Sequence, residues 1–332
     1  MTASMPYTLK DPVRHKFTKK SYNVRDWAKY DEGLKNRGSL TIWFSEDAIA
    51  AWNHVRQEKM ERGRQRVYSE LAIETAHTLR LVYKQPLRQT EGLLTSISKI
   101  LELNLSIPDH TTLSRRAKHI ALSKPPKSSS DSRVVIVDST GLKVVGEKEW
   151  MNHKHGTKQR KILRKLHLAI NDDGEILSAT LTTHHESDVS QVPDLLKQID
   201  TPIDAFYGDA GGYDHPGTYS ALANHEQRFS QTTPIRTAIP PNLGFRSAQL
   251  RDSEKRKANI KLLNDVGREK WQEATSYGKR AGVENTNSRY KTIIGGKLRS
   301  KDTDNQNTEV QIGVRILNRM RVLGIPKGRR VV

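Results

Sequence analysis

Four residues near the C-terminal end share a spacing that could do chemistry. Tyr277, Arg280, Glu284 and Lys291 stand at offsets of 0, 3, 7 and 14. At 100° per residue they fall at about 0°, 300°, 340° and 320°, one stripe roughly 60° wide on a helix. An acid, two cations and a phenol on one stripe suit a carboxylate that holds a metal while its neighbours grip an anionic polymer. Val283, Tyr290 and Ile294 cluster at about 240°, 220° and 260°, so a separate apolar side faces a core.

Two further acids follow short apolar runs. Asp138 ends Val134-Val-Ile-Val137, and Asp209 follows Asp204-Ala-Phe-Tyr207. Such runs read as strands buried on both faces, and in open α/β sheets the functional crevice lies at strand carboxyl ends. A lone Asp there is commonly a turn or cap residue. Two of them, joined by the striped helix, are hard oxygen donors that suit Mg²⁺, with Mn²⁺ as a substitute. A pair of such ions would activate a water or a 3′-hydroxyl for in-line attack on a phosphodiester.

The balance of charge agrees. The chain has 332 residues, 56 Lys and Arg against 37 Asp and Glu, and a net charge of +19. Cations that displace phosphate counterions supply most non-specific affinity for nucleic acid, so a binder of acidic polymer, double-stranded DNA among them, is expected; a ribosome-associated or membrane-surface protein would carry the same charge. There are no cysteines, which excludes disulfides and thiolate zinc sites. No apolar run is long enough to span a bilayer, and Met1 to Lys20 has no apolar core of a secretory signal, so a cytoplasmic protein without a membrane partner is expected.

The elements that must position these residues divide the chain. Residues 1–44 read as a basic arm. Residues 45–122 read as a helical DNA-binding region. In it Ser45 caps one helix, Pro86 opens another, and Leu93, Leu94, Ile97, Ile100 and Leu101 form one apolar face. Asp109 caps a following helix in which Leu113, Ala117 and Ile120 point inward and Arg115, Arg116 and Lys118 face outward. That order, helix, break, basic helix, resembles a helix-turn-helix reader of the major groove. Residues 123–132 have the Pro/Ser composition of a linker. Residues 133–300 read as a catalytic domain, and 301–332 as a C-terminal helix, with Val310, Val314 and Leu317 inward, and a basic tail.

Within 133–300, a strand containing Leu166, Leu168 and Ile170 and a strand from Ile176 to Thr183 flank the turn Asn171 to Gly174. A helix with Ser190 as cap and Pro193 in its first turn follows, then strands at Asp204–Tyr207 and Thr237–Ile239. Three meandering strands followed by alternating helices and strands is the order of a ribonuclease-H-like α/β fold. His153 and His155 lack companion zinc ligands and read as part of a basic loop beside Asp138. His184 to Asp188 reads as the loop leaving the third strand. Trp271 reads as core, and Gly295-Gly296 as the end of the catalytic helix.

Asp138-Ser-Thr-Gly-Leu-Lys143, Tyr207-Gly-Asp209-Ala-Gly-Gly-Tyr213 and Tyr277-x₂-Arg280-x₃-Glu284-x₆-Lys291, in this order, resemble the three blocks of bacterial insertion-sequence DDE transposases. The last block matches the Tyr-Arg-Glu-Lys signature of that family (insertion sequence family five) at every spacing. Arg164-Lys-Leu-His167 and Arg37-Gly-Ser-Leu40 resemble other segments of the group, so the likeness spans about residues 25–325. It implies a metal-binding triad of Asp138, Asp209 and Glu284, and Tyr277, Arg280 and Lys291 on transposon-end DNA. It implies hydrolysis to a 3′-hydroxyl, transfer of that end into target DNA, and a homodimer in the synaptic complex. The 74 residues between Asp209 and Glu284 leave no room for the large insertion domain of some relatives. A nuclease of the same fold that does not join ends, and a DNA-binding regulator without catalysis, are the alternatives.

Overall fold

A computed structural model describes residues 21–53, 67–122, 131–144, 163–241, 253–324 and 328–331. The expectations for residues 1–20, for most of the linker and for the loop of His153 and His155 lie outside the described residues.

The described residues fall into two compact units, 21–39 with 322–331, and 40–321. In the first, β1 (Ser21–Val24) pairs antiparallel with β8 (Gly328–Val331). Helix α1 (Trp27–Arg37) presses Gly33 onto the chain at Leu323; a Cβ there would stand 2.7 Å from the Leu323 carbonyl oxygen, so only glycine fits.

The second unit begins with short helices α2 (Leu40–Trp43) and α3 (Glu46–Ala50), then α4 (Glu70–Val82), α5 (Leu87–Ile100) and α6 (His110–Ala117). Side chains at the N-termini satisfy amides that no helical carbonyl can reach. Ser45 accepts from Ala48, Ser69 from Ala72 at 3.0 Å, and Asp109 from Thr111 and Thr112 at 2.8 and 2.7 Å. Helix α4 is the buried spine, with Ala72, Ile73, Ala76, Leu79 and Leu81 in the core.

Two readings of this region need correction. Pro86 is the N-cap of α5 rather than its first residue. The apolar face of α5 ends at Ile97, because the helix stops at Ile100 and the chain turns at Glu102 with φ 52°. Ile100 is left 78% exposed and Leu101 49% exposed.

The sheet has the order β4–β3–β2–β5–β6, from β2 (Val134–Val144), β3 (Leu163–Ile170), β4 (Ile176–Thr183), β5 (Ala205–Tyr207) and β6 (Arg236–Ala238). Strands β2, β3 and β4 meander antiparallel, and β5 and β6 run parallel to β2. A short β7 (Lys297–Leu298) pairs with the far end of β2. The turn at Asn171 works through its side chain, which accepts from the amides of Asp173 and Glu175 while Gly174 takes φ +79°.

Strand β2 differs from the reading in which Asp138 closes it. It runs on for six residues beyond Asp138, since β3 supplies ladder partners from Ile136 to Lys143. Ser190 is likewise not a cap. A 3₁₀ turn, Val189–Gln191, precedes α7 (Val192–Lys197), and the Ser190 hydroxyl donates instead to the Ser187 carbonyl at 2.7 Å.

Both faces of the sheet are covered, which is why Val134 to Val137 is apolar without alternation. Val135, Val137 and Phe206 pack with α7 and with α9 (Pro216–Arg228), which follows the short α8 (Ala210–Tyr213). Ile136, Leu166 and Leu168 belong to a larger core with Ile73, Leu79 and Leu113 of the N-terminal helices. That core also holds Val283 and Tyr290 of α11 (Ala281–Tyr290) and Val310 and Leu317 of α12 (Thr303–Leu323). Helix α12 is fastened to β4 by Asn318, which both accepts from and donates to the backbone of Ile176, and by Gln311, which donates to Ala179. Between β6 and α11, helix α10 (Glu254–Ala274) kinks at Gly267, φ 77°, and buries Trp271. Among the described residues no helix is long and apolar enough to cross a membrane.

Candidate active site

Strand register brings the first two acids together. Ile136 is paired with Tyr207, the last residue of β5. Asp138 and Asp209 each lie two residues further on, where β2 continues along β3 and the chain after β5 turns away. Gly208 permits that turn, because a Cβ there would meet the Tyr213 side chain at 2.8 Å. Asp209 then caps α8 by accepting from the Gly212 amide at 2.9 Å.

The third acid arrives on α11. The helix is not uniform: Tyr277–Arg280 form a 3₁₀ turn, Ala281–Tyr290 are α-helical, and Lys291–Gly295 widen into a π turn. The 100° spacing therefore holds only in the middle. Val283, Tyr290 and Ile294 still face the core as their spacing implies. On the opposite side Arg280 sits between two acids. One of its nitrogens lies 2.5 Å from Glu284, and another lies 3.7 Å from Asp138. Asn287, one turn after Glu284, donates to the other Asp138 oxygen at 3.0 Å.

The electrostatics follow from that placement. Burial pushes the Asp138 carboxyl above its usual range; Arg280 opposes this, while Asp209 and Glu284 add to it. Burial also works against the Arg280 charge, but Tyr277, Asp138, Glu284 and Asp209 together hold the guanidinium more firmly protonated. Tyr277 is raised by its burial and packs 5.4 Å from Trp271. An acid whose ionisation is opposed by burial and by two neighbouring acids is one that a cation would stabilise.

Among the described residues no three His, Asp or Glu side chains stand close enough together to hold a metal ion. Each acid instead has a protein partner: Asn287 for Asp138, the Gly212 amide for Asp209, and Arg280 for Glu284. Their hard oxygen donors are of the kind that Mg²⁺ and Mn²⁺ take.

The other expected DNA contacts are dispersed. Lys291 is exposed at the start of the π turn after α11, and Arg115 is exposed on α6. Arg116 is committed inside the helical region, donating to the Tyr68 carbonyl at 3.1 Å and to Glu70 at 2.7 Å. Lys118 pairs with Asp302 at 2.7 Å. Two cations of α12 are engaged in ion pairs, Arg315 with Glu74 and Arg321 with Asp173 and Glu175, while the exposed Arg319 lies over the Trp43 ring.

Sequence reasoning missed two residues beside the acids. Asn287 carried a signal, its i+3 offset from Glu284 on the same helix. Asp188 carried none, since its neighbours Lys165 and His167 lie on another strand.

Two family profiles, each described as a transposase DDE domain, match the sequence over residues 129–319 and residues 35–147. The first covers more than half of the chain and contains all three acids, and the chain belongs to the DDE transposases. Members of that family cleave and transfer DNA, generally with divalent metal ions, so DNA is the substrate of this chain.

Proposed function

We propose that this chain is an insertion-sequence transposase of the Tyr-Arg-Glu-Lys group, acting on the terminal inverted repeats of its element. Its catalytic part, residues 133–300, is ribonuclease-H-like, and residues 45–122 contribute to end recognition through the exposed side of α6. The observation that carries the reading is the meeting of Asp138, Glu284 and Arg280 beside the Asp209 turn.

In this reading Asp138, Asp209 and Glu284 hold a pair of Mg²⁺ ions. When bound, the ions supply activation of the attacking oxygen and neutralisation of the leaving one. Arg280 exchanges its carboxylate partners for a phosphate of the transposon end. Tyr277, rigid against Trp271, borders that strand, and Lys291 meets the backbone further along. Asn287 keeps Asp138 oriented by holding one of its oxygens. Water attacks the phosphodiester at the element end and breaks its P–O3′ bond, leaving a 3′-hydroxyl and a 5′-phosphate. That hydroxyl then attacks a target phosphodiester, joining to its phosphorus and releasing the target's own 3′-hydroxyl, in a homodimeric synaptic complex.

The test combines the purified chain, a fragment bearing its own element end, a target plasmid and Mg²⁺. Joined products support the proposal. Nicks without joining would make the protein a nuclease, and a gel shift without cleavage would leave it a DNA binder.

A further inference from the structure

We infer that Asp188 is a positioning residue for the reaction, fixing the Asp138 strand and the Asp209 turn relative to each other. The inference rests on Asp138 and Asp209 being reactive-site acids.

Asp188 lies in the segment between β4 and α7, yet it touches three separate parts of the site. Lys165 of β3 approaches one of its oxygens at 2.9 Å, and His167 of the same strand stands 3.3 Å from that oxygen. His167 is fully buried; its other ring nitrogen meets the Thr182 hydroxyl at 2.9 Å, while the nitrogen nearer Asp188 makes no hydrogen bond. Ser139 of β2, next to Asp138, also helps to hold Asp188 ionised. Ser139 and His167 are register partners, so Asp188 grips neighbouring points on two strands.

The third contact reaches the second acid. At Gly212 a Cβ would stand 2.8 Å from an Asp209 oxygen and 3.2 Å from an Asp188 oxygen, so the two side chains converge on one residue of α8. Tyr213, next to it and 1% exposed, has a hydroxyl without a hydrogen-bond partner, in the field of Asp188, Asp138 and Asp209. Lys165, His167 and Ser139 hold Asp188 ionised well below the usual carboxylate range despite its partial burial. A fixed, paired anion at this point cannot approach a phosphate itself. It can hold β2 and the Asp209 turn at the separation that two acids need to share cations. Partners of metal-ligating carboxylates act in this way, and losing one typically costs about 10–100-fold in metal affinity or activity.

The test uses the full chain with its end DNA, and compares Asp188→Asn, Ser139→Ala and Asp138→Asn. It measures single-turnover cleavage at saturating DNA, end affinity, melting temperature, and Mn²⁺ affinity from the paramagnetic resonance of free ion. For Asp188→Asn the expected result is cleavage and Mn²⁺ affinity both down by about 10–100-fold, with end affinity and melting temperature near wild type. Ser139→Ala should show a smaller loss in both, and should add little to Asp188→Asn, as expected of contacts in one network. Wild-type cleavage and Mn²⁺ affinity in Asp188→Asn, alongside an inactive Asp138→Asn, would overturn the inference alone. An active Asp138→Asn would overturn the underlying site. If Asp188→Asn fails to fold, Ser139→Ala decides, and its unchanged Mn²⁺ affinity would reject the role.

Discussion

Arg280 and Glu284 form an ion pair one helical turn apart, 2.5 Å between nitrogen and oxygen, and the same guanidinium reaches Asp138 at 3.7 Å. The arginine thus offsets the repulsion among acids that a metal would otherwise have to relieve. Arg280→Ala should weaken binding to end DNA and reduce the salt slope by about one. Arg280→Lys should keep most of the slope but lose affinity, since an ammonium lacks the planar fork. Fluorescence anisotropy over a salt series measures both. An unchanged slope in Arg280→Ala would take the residue off the DNA face.

Replacing the acids separates chemistry from folding. Asp138→Asn keeps an oxygen for the Asn287 amide, and Asp209→Asn keeps the cap on Gly212. Both variants, and Glu284→Gln, should therefore fold and bind ends while cleavage falls by at least about a thousandfold, the scale seen when members of a catalytic set are removed. Strand-cleavage assays beside gel shifts provide the check. Loss of end binding in all three would assign the acids a structural role.

The basic helix α6 divides by burial. Arg116 donates to the Tyr68 carbonyl and to Glu70, whereas Arg115 is exposed. Arg116→Ala leaves a carbonyl and a carboxylate short of a donor and should cost about 1–3 kcal/mol of stability. Arg115→Ala should leave stability alone and weaken DNA binding. Denaturant melts and anisotropy on both variants distinguish the two roles. The reverse pattern would remove α6 from the DNA-binding surface.

What could be read in the sequence was what depends on near neighbours. The Asp109 cap, strand β4 from Ile176 to Thr183 and the buried face of α11 all follow from local pattern, and all are found. The succession of three meandering strands and then alternating helices and strands followed from apolar runs and turn residues. What could not be read depends on partners distant in the chain. Polar residues at Asp138 to Thr140 looked like a strand end because the ladder that continues β2 belongs to β3. Arg116 looked free because Tyr68 and Glu70 precede it by more than forty residues. The acids of the site were visible as candidates one at a time. The Arg280 bridge, and Asp188 between two strands and a turn, exist only once the sheet has formed.

Gly208 tests how closely the Asp209 turn is built. A methyl group there would lie 2.8 Å from the Tyr213 Cβ and ring, so the buried ring must move. Gly208→Ala should cost about 1–3 kcal/mol through overpacking. Because Asp209 follows directly, cleavage should fall as well, with little change in end affinity. A thermal scan and the cleavage assay measure the two effects. A melting temperature equal to wild type would show that Tyr213 yields without cost.

Acid should destabilise the helical region through His77. Its ring is buried on α4, with Nε2 3.1 Å from the Leu113 carbonyl. Burial lowers its pKa to about 4, Arg80 one turn away adds to the effect, and the Leu113 carbonyl only partly opposes it. The unfolded chain takes up this proton near pH 6.5, the native chain only near pH 4. Between those values the unfolded state binds more protons, so stability falls as pH falls, and is fully present above the upper value. At 1.36 kcal/mol per unit the loss at the lower end approaches about 3 kcal/mol. His225, also lowered by burial, acts in the same direction. His77→Gln keeps a donor for Leu113 and removes the titration. Its unfolding free energy, measured by denaturant at pH 7 and pH 4.5, should decline less than that of the wild type. Equal declines would mean that His77 already carries its proton in the native state.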